Sequence, residues 1–298
     1  MAERLLPVSE PSAAMHVSPL HHGALSVIDF RCQAGPHTPA QVEHHDFTSV
    51  SYVRRGSFGY RARGEEFELV AGSVLVGHAG DEFLCTHAHH HGGDECLSFK
   101  LAPELADSFG AKLQHWRAGG LPPLPELVVL GELAQAAADG ANDFGVDEAG
   151  LLLVARYLAL ADGKRRTTLQ AHARDRHRAI ESALWLDEHA HEDIDLETTA
   201  AQAGLSPWHF LRMFARVVGV TPHQYLLRAR LRRAARMLAS DERPVTDIAL
   251  EAGFADLSNF VRSFHRVAGL PPRHFRHAAC GDRERIAALV AQAGRRRH

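Results

Sequence analysis

The chain has 298 residues, of which 45% are apolar, and a formal net charge of −3. That length favours two domains and that composition is ordinary for a globular protein, while no apolar run reaches the roughly 20 residues a membrane-spanning helix needs. The opening MAERLLPVSEPS carries acid and proline and lacks the apolar core of a signal peptide, so no export signal is read and a cytoplasmic location is expected. Cys32, Cys85, Cys96 and Cys280 are too few for a disulfide framework and fit a reducing compartment. The small net charge conceals a division. From Arg174 onward 20 Arg face 15 acidic residues, which gives +5, and the preceding residues carry −8. Any attraction to phosphate therefore belongs to the C-terminal part.

Residues 1–20 read as a flexible lead. From 21 to 105, short alternating runs are punctuated by glycine: LSVIDF from Leu25, SVSYV from Ser49, SFGYR from Ser57, EFELV from Glu66 and SVLV from Ser73. Many short strands with regular turns predict a small β-barrel or double-sheet jelly roll. Inside this region lies CTHAHHHGGDEC, Cys85 to Cys96. Its two thiols and several imidazoles fit zinc or another soft metal through Cys85, His87, His89 and Cys96, or a redox-sensing thiol pair. The competing reading makes both cysteines small core residues beside a solvated His-rich loop. Residues 106–162 follow with apolar helical stripes over Glu126–Ala138 and Val146–Ala161, fit either to hold a second copy or to cover the sheet. Residues 163–175, with GKRRTT, read as a linker, and a helix from Arg178 to His189 opens an all-α region over 176–278, followed by a tail at 279–298.

That all-α region contains one design twice. Ala200, Ala203 and Gly204 match Ala249, Ala252 and Gly253, and then Phe210, Arg212, Phe214, Arg216, Gly219, Pro222 and Tyr225 match Phe260, Arg262, Phe264, Arg266, Gly269, Pro272 and Phe275. Each copy reads as a helix-turn-helix: small residues for close approach, a glycine for the tight turn, then an amphipathic helix. Ser206-Pro207 opens the first of these helices, with Ser as N-cap and Pro at the first helical position. Ser206, Trp208, His209, Arg212 and Arg216 then lie off its buried face, as do Ser258, Asn259, Arg262 and Arg266 on its counterpart. Paired arginines at i and i+4 repel slightly, and their recurrence on two matched helices points to a negative partner, double-stranded DNA. A solvated basic face is the bland reading for either helix alone. Thr221-Pro222-His223-Gln224 is a capping box that opens a joining helix of roughly 18 residues, about 27 Å long. That length sets the two reading helices about one DNA turn apart.

The run GFADLSNFVRSFHRVAGLPPRHFR, Gly253 to Arg276, together with the double repeat, resembles the AraC/XylS family of bacterial transcription regulators. VSYVRRGSFGYRARGEEFELVAGSVLV, Val50 to Val76, is similar, more weakly, to the cupin-like sensor half of the same family. The resemblance implies an α+β multidomain protein: a cupin-like β-barrel with trailing helices, then an all-α domain of two helix-turn-helix units joined by a long helix. It also implies sequence-specific DNA binding controlled by a small-molecule effector in the barrel, near His44, His45, Tyr52, Tyr60 and His78. A homodimer through the helices behind the barrel, contact with RNA polymerase, no membrane and no obligatory cofactor complete the expectation. Two enzyme alternatives stand beside it. A metal-dependent cupin needs His-x-His and a following carboxylate. This chain has adjacent His44 and His45, which alternation would point to opposite faces, and Glu65, Glu66 and Glu68 come too late. A DNA-repair enzyme with a methyl-accepting cysteine needs four clustered cysteines, and these four are scattered.

Overall fold

The computed structural model describes residues 15–87, 92–141, 145–161 and 171–279. The N-terminal half is a large antiparallel sheet. Its strands are β1 (Met15–His21), β2 (Leu25–Cys32), β3 (Val42–His44), β4 (Thr48–Ala62), β5 (Glu65–Val70), β6 (Val74–Gly77), β7 (Glu82–Thr86), β8 (Asp94–Leu101) and β9 (Gly119–Leu121). One path runs β1-β2-β8-β4-β6-β9, and β4 continues beyond it to pair with β5 and β7. The segment read as a loose lead is thus partly strand, because β1 pairs with β2 from Met15 opposite Cys32 to His21 opposite Val27. The strand β9 was not anticipated either; it is three residues long and too short to leave a period.

Alternation along each strand sorts side chains to two faces. Leu25, Val27, Val50, Tyr52, Val74, Val76, Leu97, Phe99 and Leu101 form one face, packed under helices. Val53, Phe58, Tyr60, Phe67, Leu69, Leu75 and Cys96, with Phe30, Phe83 and Cys85 against them, converge as an inner core. The register of β4 against β8 slips between Val53 and Arg55. This bulge reverses the alternation, so Tyr52 and Tyr60, eight residues apart, lie on opposite faces.

The helices are α1 (Pro103–Ser108), α2 (Leu113–Trp116), α3 (Pro125–Ala138), α4 (Val146–Ala161), α5 (Ala173–Glu188), α6 (Leu196–Gln202), α7 (Pro207–Val218), α8 (Pro222–Ser240), α9 (Val245–Glu251), α10 (Leu257–Ala268) and α11 (Pro272–Ala279). The sequence reading placed α3, α4 and α8 closely. It started α5 five residues late, since that helix begins in what was taken as linker; the linker's 163–170 and the tail's 280–298 lie outside the described residues. None of the described helices is long and apolar enough to cross a membrane.

The two helix-turn-helix units share their cores with the sheet half. Ala179, Ile180, Ala200, Phe210, Phe214 and Tyr225 form a cluster that also takes in Val70 of β5. Ile248, Phe254, Phe260, Phe264 and Phe275 continue into the cluster of Leu127, Leu133, Leu153 and Tyr157 on α3 and α4.

Candidate functional site

In each unit a left-handed glycine makes the turn: Gly204 at φ +64° and Gly253 at φ +94°. A side chain there would be strained, which is why glycine stands at both. The second helix of each unit then buries its aromatic stripe. Phe210, Phe214, Phe260 and Phe264 have no exposed surface. The predicted set lies outside: Ser206, Trp208, His209, Arg212, Arg216, Ser258, Asn259, Arg262 and Arg266 are all exposed, as are Leu211, Leu257 and His265. The Arg212 guanidinium lies 4.6 Å from the centroid of the Trp208 ring, so cation and indole form one rigid feature on α7. On α10 the Arg262 Nε donates to the Ser258 carbonyl at 3.3 Å.

The caps differ from expectation in one place. Ser206 occupies the N-cap position of α7 without capping it, because its hydroxyl is bonded to the His209 Nδ1 at 2.9 Å. Asp256 does cap α10 and accepts the Asn259 backbone N–H at 2.7 Å. The capping box of α8 is formed as read, with Gln224 N–H on the Thr221 hydroxyl and Thr221 N–H on the Gln224 side chain.

The helix α8 is more than a spacer. Glu132 of α3 is fully buried and receives the Tyr52 hydroxyl at 2.8 Å and the Arg236 Nε at 3.0 Å, with Arg232 Nε 3.9 Å away. Arg232 also binds Asp187 of α5 and the Ala71 carbonyl, and Tyr225 donates to Asp187 at 2.9 Å. Arg228 reaches the Pro123 carbonyl, and Arg176 of α5 binds Glu66. Burial pushes the Tyr52 and Tyr225 hydroxyls well above their usual range, with Glu132 and Asp187 adding to it. Burial raises Asp187 too, opposed by Arg232. The Arg232 guanidinium stays charged: burial would lower it, and Asp187, Tyr225, Tyr52 and Glu132 together raise it instead. Sequence reasoning missed this network, whose bonds join residues as far as 161 positions apart along the chain.

Of the residues expected around an effector, the structure groups three. The His45 Nε2 is 2.9 Å from the Tyr60 hydroxyl, and its ring stacks on Phe83 at 4.2 Å. Burial lowers its pKa to about 4, against the pull of Asp81, and burial also raises Tyr60. His78 stands close by, its Nδ1 3.3 Å from the Thr48 hydroxyl. The other two are corrections. His44, the last residue of β3, points outward to Glu82 at 3.3 Å, whereas His45, the next residue, turns inward. Tyr52 faces α3, because it precedes the bulge in β4. Two features of the inner face were not anticipated: the Ser51–Ser98 hydroxyl pair at 2.9 Å, and Lys100, whose ammonium lies 5.7 Å and 5.8 Å from the ring centroids of Phe30 and Phe47.

The expected Cys85, His87, His89 and Cys96 grouping is not what forms. His89 lies outside the described residues. Cys85 and Cys96 join the inner apolar core, where burial pushes both thiols well up. His87 meets Asp94 at 3.2 Å and Cys32 at 3.8 Å instead, two residues that sequence spacing did not single out.

Tandem helix-turn-helix units with matched basic faces, behind an antiparallel sheet, define a DNA-binding transcription regulator. Comparison with known proteins agrees. Residues 199–278 match a helix-turn-helix domain family. The transcriptional activator RhaS of Shigella boydii is 27% identical over 257 residues, covering 80% of this chain and 88% of the relative. RhaS of Salmonella arizonae is 28% identical over 249 residues, covering 78% and 86%. Among solved structures, the DNA-binding domain of AdpA in complex with a target DNA is 34% identical, over 34% of this chain and 91% of that one, at a TM-score of 0.33. ToxT of Vibrio cholerae is 11% identical, over 87% and 99%, at 0.35. Residues 199–278 are an AraC-type helix-turn-helix domain, and over most of its length the chain is similar to transcription regulators and not to either enzyme class.

Proposed function

We propose that this regulator reads an operator through α7 and α10 and is controlled by a small molecule held on the inner face of its sheet, which we take as a cupin-like jelly roll. The observation that carries the first part is the exposure of four matched pairs of residues, Trp208/Ser258, His209/Asn259, Arg212/Arg262 and Arg216/Arg266, with Ser206 beside them, over two buried aromatic stripes. In this reading Arg212 and Arg262 pair with guanine, and Arg216 and Arg266 hold phosphate. Trp208, His209, Ser258 and Asn259, nearer the helix starts, meet base edges or thymine methyls, and Ser206 lies at the entry of α7. The domain divisions at 105, 162, 175 and 278 belong to the same reading, as do a cytoplasmic site of action and contact with RNA polymerase.

His45, Tyr60, His78 and Lys100 supply the polar groups for an effector, among the rings of Phe30, Phe47 and Phe83. An effector that alters this face acts on sheet strands whose other side rests on α3, and α3 holds α8 through Glu132. That gives two arrangements of α8 for a ligand to bias. For a homodimer, α4 is the better candidate than α3, since Leu151, Leu152 and Leu158 are only half-buried whereas the α3 stripe is spent on the sheet and α8. Footprinting with the full chain tests the central claim. Two protected major-groove segments per subunit, about 10 base pairs apart, are expected. Protection of a single segment would refute it, and monomeric sedimentation at micromolar concentration would refute the dimer.

A further inference from the structure

DNA reading makes no use of a cluster at one end of the inner face. Cys32 closes β2, Asp94 opens β8, and the two are register partners across the β2–β8 ladder. His87 follows β7 directly. The His87 Nε2 lies 3.8 Å from Cys32 Sγ and 3.2 Å from Asp94 Oδ2, and one donor atom from each residue lies within 4.8 Å of the others. Each residue is only 9% exposed.

Both contacts use the same ring nitrogen. In a thiol–imidazole–carboxylate relay the acid and the nucleophile take opposite nitrogens, so that one bond orients the ring for the other. A relay is therefore ruled out by geometry. Three Lewis-basic atoms instead converge on one centre. The two separations from the His87 Nε2 have the scale of tetrahedral edges: with a metal–sulfur bond of ~2.3 Å and metal–nitrogen and metal–oxygen bonds of ~2.0–2.1 Å, the S···N edge is about 3.5 Å and the N···O edge about 3.3 Å. Sulfur, imidazole nitrogen and carboxylate oxygen together suit a borderline divalent ion.

The surroundings are built for this convergence. The Ala34 backbone N–H points at Cys32 Sγ at 3.4 Å, an outer-shell bond of the kind that orients a thiolate ligand. A Cβ on Gly93 would fall 2.1 Å from the Cys32 carbonyl oxygen, and one on Gly56 would fall 2.0 Å from the Gly93 carbonyl oxygen. Only glycine at both positions lets the start of β8 sit between β4 and the end of β2, and that seating sets Asp94 beside Cys32. Cys96 is next to the cluster, its Sγ 3.8 Å from Asp94 Oδ1.

We propose that Cys32, His87 and Asp94 bind a divalent metal ion of the zinc class, leaving a fourth position for water or an incoming ligand. The site replaces the Cys85–Cys96 grouping that spacing suggested, and it stands or falls independently of the DNA-reading assignment. A bound ion ties β2, β7 and β8 together at the same inner face as His45 and Tyr60.

The test uses the full chain, stripped with chelator and titrated with cobalt(II). One equivalent should produce thiolate-to-cobalt charge-transfer absorption together with visible bands of tetrahedral intensity, and zinc(II) should displace both. Cys32→Ala should abolish the charge-transfer band, and Asp94→Asn, a near-isosteric change, should weaken cobalt binding at least tenfold while the circular dichroism stays unchanged. Cys85→Ala should keep the spectrum. Absence of any cobalt spectrum in the unaltered chain would overturn the proposal and leave the cluster as a hydrogen-bonded core. So would a band that survives Cys32→Ala but disappears in Cys85→Ala, or full affinity in Asp94→Asn. If Cys32→Ala fails to fold, Asp94→Asn and Cys85→Ala decide alone.

Discussion

The two helix-turn-helix units share a frame and differ in almost everything attached to it. Both turn on a left-handed glycine and both bury a pair of phenylalanines. The first unit carries a large outward feature, the Arg212–Trp208 stack, and its Ser206 is diverted to His209. The second carries small polar residues beside its arginines, with an Asp256 cap fixing the helix start. Their settings also differ. The first unit's core meets the sheet half at Val70, whereas the second unit's core runs on into α3 and α4. A repeat therefore keeps what the backbone needs and frees the surface, and the part of the chain nearest each unit decides how tightly it is held.

The strongest way to break this arrangement is to remove Glu132. It is fully buried, and Tyr52, Arg232 and Arg236 all face it. Glu132→Ala leaves a buried guanidinium short of a partner, a loss of about 3–5 kcal/mol for a buried pair. Urea unfolding of the full chain should show it, and Glu132→Gln, which keeps one acceptor, should lose less. A drop below ~1 kcal/mol would mean that water reaches the network and that α8 is only loosely held.

The matched glycines sharpen the comparison next. At Gly204 an added Cβ meets nothing within 4 Å, so Gly204→Ala should cost only the left-handed strain, about 1 kcal/mol. At Gly253 the same Cβ would fall 2.5 Å from the Ala190 carbonyl oxygen and 2.9 Å from the Arg230 Nε. Arg230 is itself bonded to the Ala190 and Glu192 carbonyls, so the neighbour has little room to give. Gly253→Ala should therefore cost about 3 kcal/mol, strain plus displacement. Equal losses in the two variants, measured by thermal unfolding, would show that the second turn relaxes freely.

These cases show what could be read from the sequence and what could not. The repeats, the turns, the capping box and the outward faces are local, and local spacing was enough to name nine residues that are all exposed on α7, at its entry and on α10. The inner face was half legible. Alternation separates His45 from His44 correctly, but a one-residue bulge in β4 sends Tyr52 to the helices, and nothing in SVSYVRRGSFGY announces it. The Cys32–His87–Asp94 cluster depends on a register between strands more than sixty residues apart, and Gly92-Gly93 hinted only at a turn. Glu132 and its arginines are invisible for the same reason: on each helix they look like ordinary solvated charges.

On DNA, the two units should separate by chemistry. Arg212→Ala should relax preference at one or two operator positions by about 1–3 kcal/mol, because both the guanidinium and its hold on Trp208 are lost. Arg262→Ala should relax it less, since no aromatic ring fixes that side chain among the described residues. Arg216→Ala and Arg266→Ala should weaken every sequence alike and each reduce the salt slope by about one unit. Competition binding against single-base operator variants over a salt series distinguishes the two classes. Identical profiles for Arg212→Ala and Arg216→Ala would remove the division between base and phosphate contacts.

The smallest expected effect sits at the helix starts. Asp256 accepts the Asn259 N–H at 2.7 Å, and its carboxylate also lies at the positive end of α10. Asp256→Ala should cost about 1 kcal/mol, the ordinary value of a working N-cap. Ser206 makes no such bond, since its hydroxyl is engaged by the His209 ring. Ser206→Ala should therefore cost only a few tenths of a kcal/mol in stability, well below a working cap. It should instead free the His209 ring, which stands at the exposed start of α7 beside Trp208. The expectation is a nearly unchanged denaturation midpoint with altered operator affinity for Ser206→Ala, and the reverse for Asp256→Ala, whose side chain is engaged by its own helix. Equal destabilisation of the two variants would show that Ser206 leaves His209 to cap α7 in solution, and the two units would then be alike at their starts as well as in their turns.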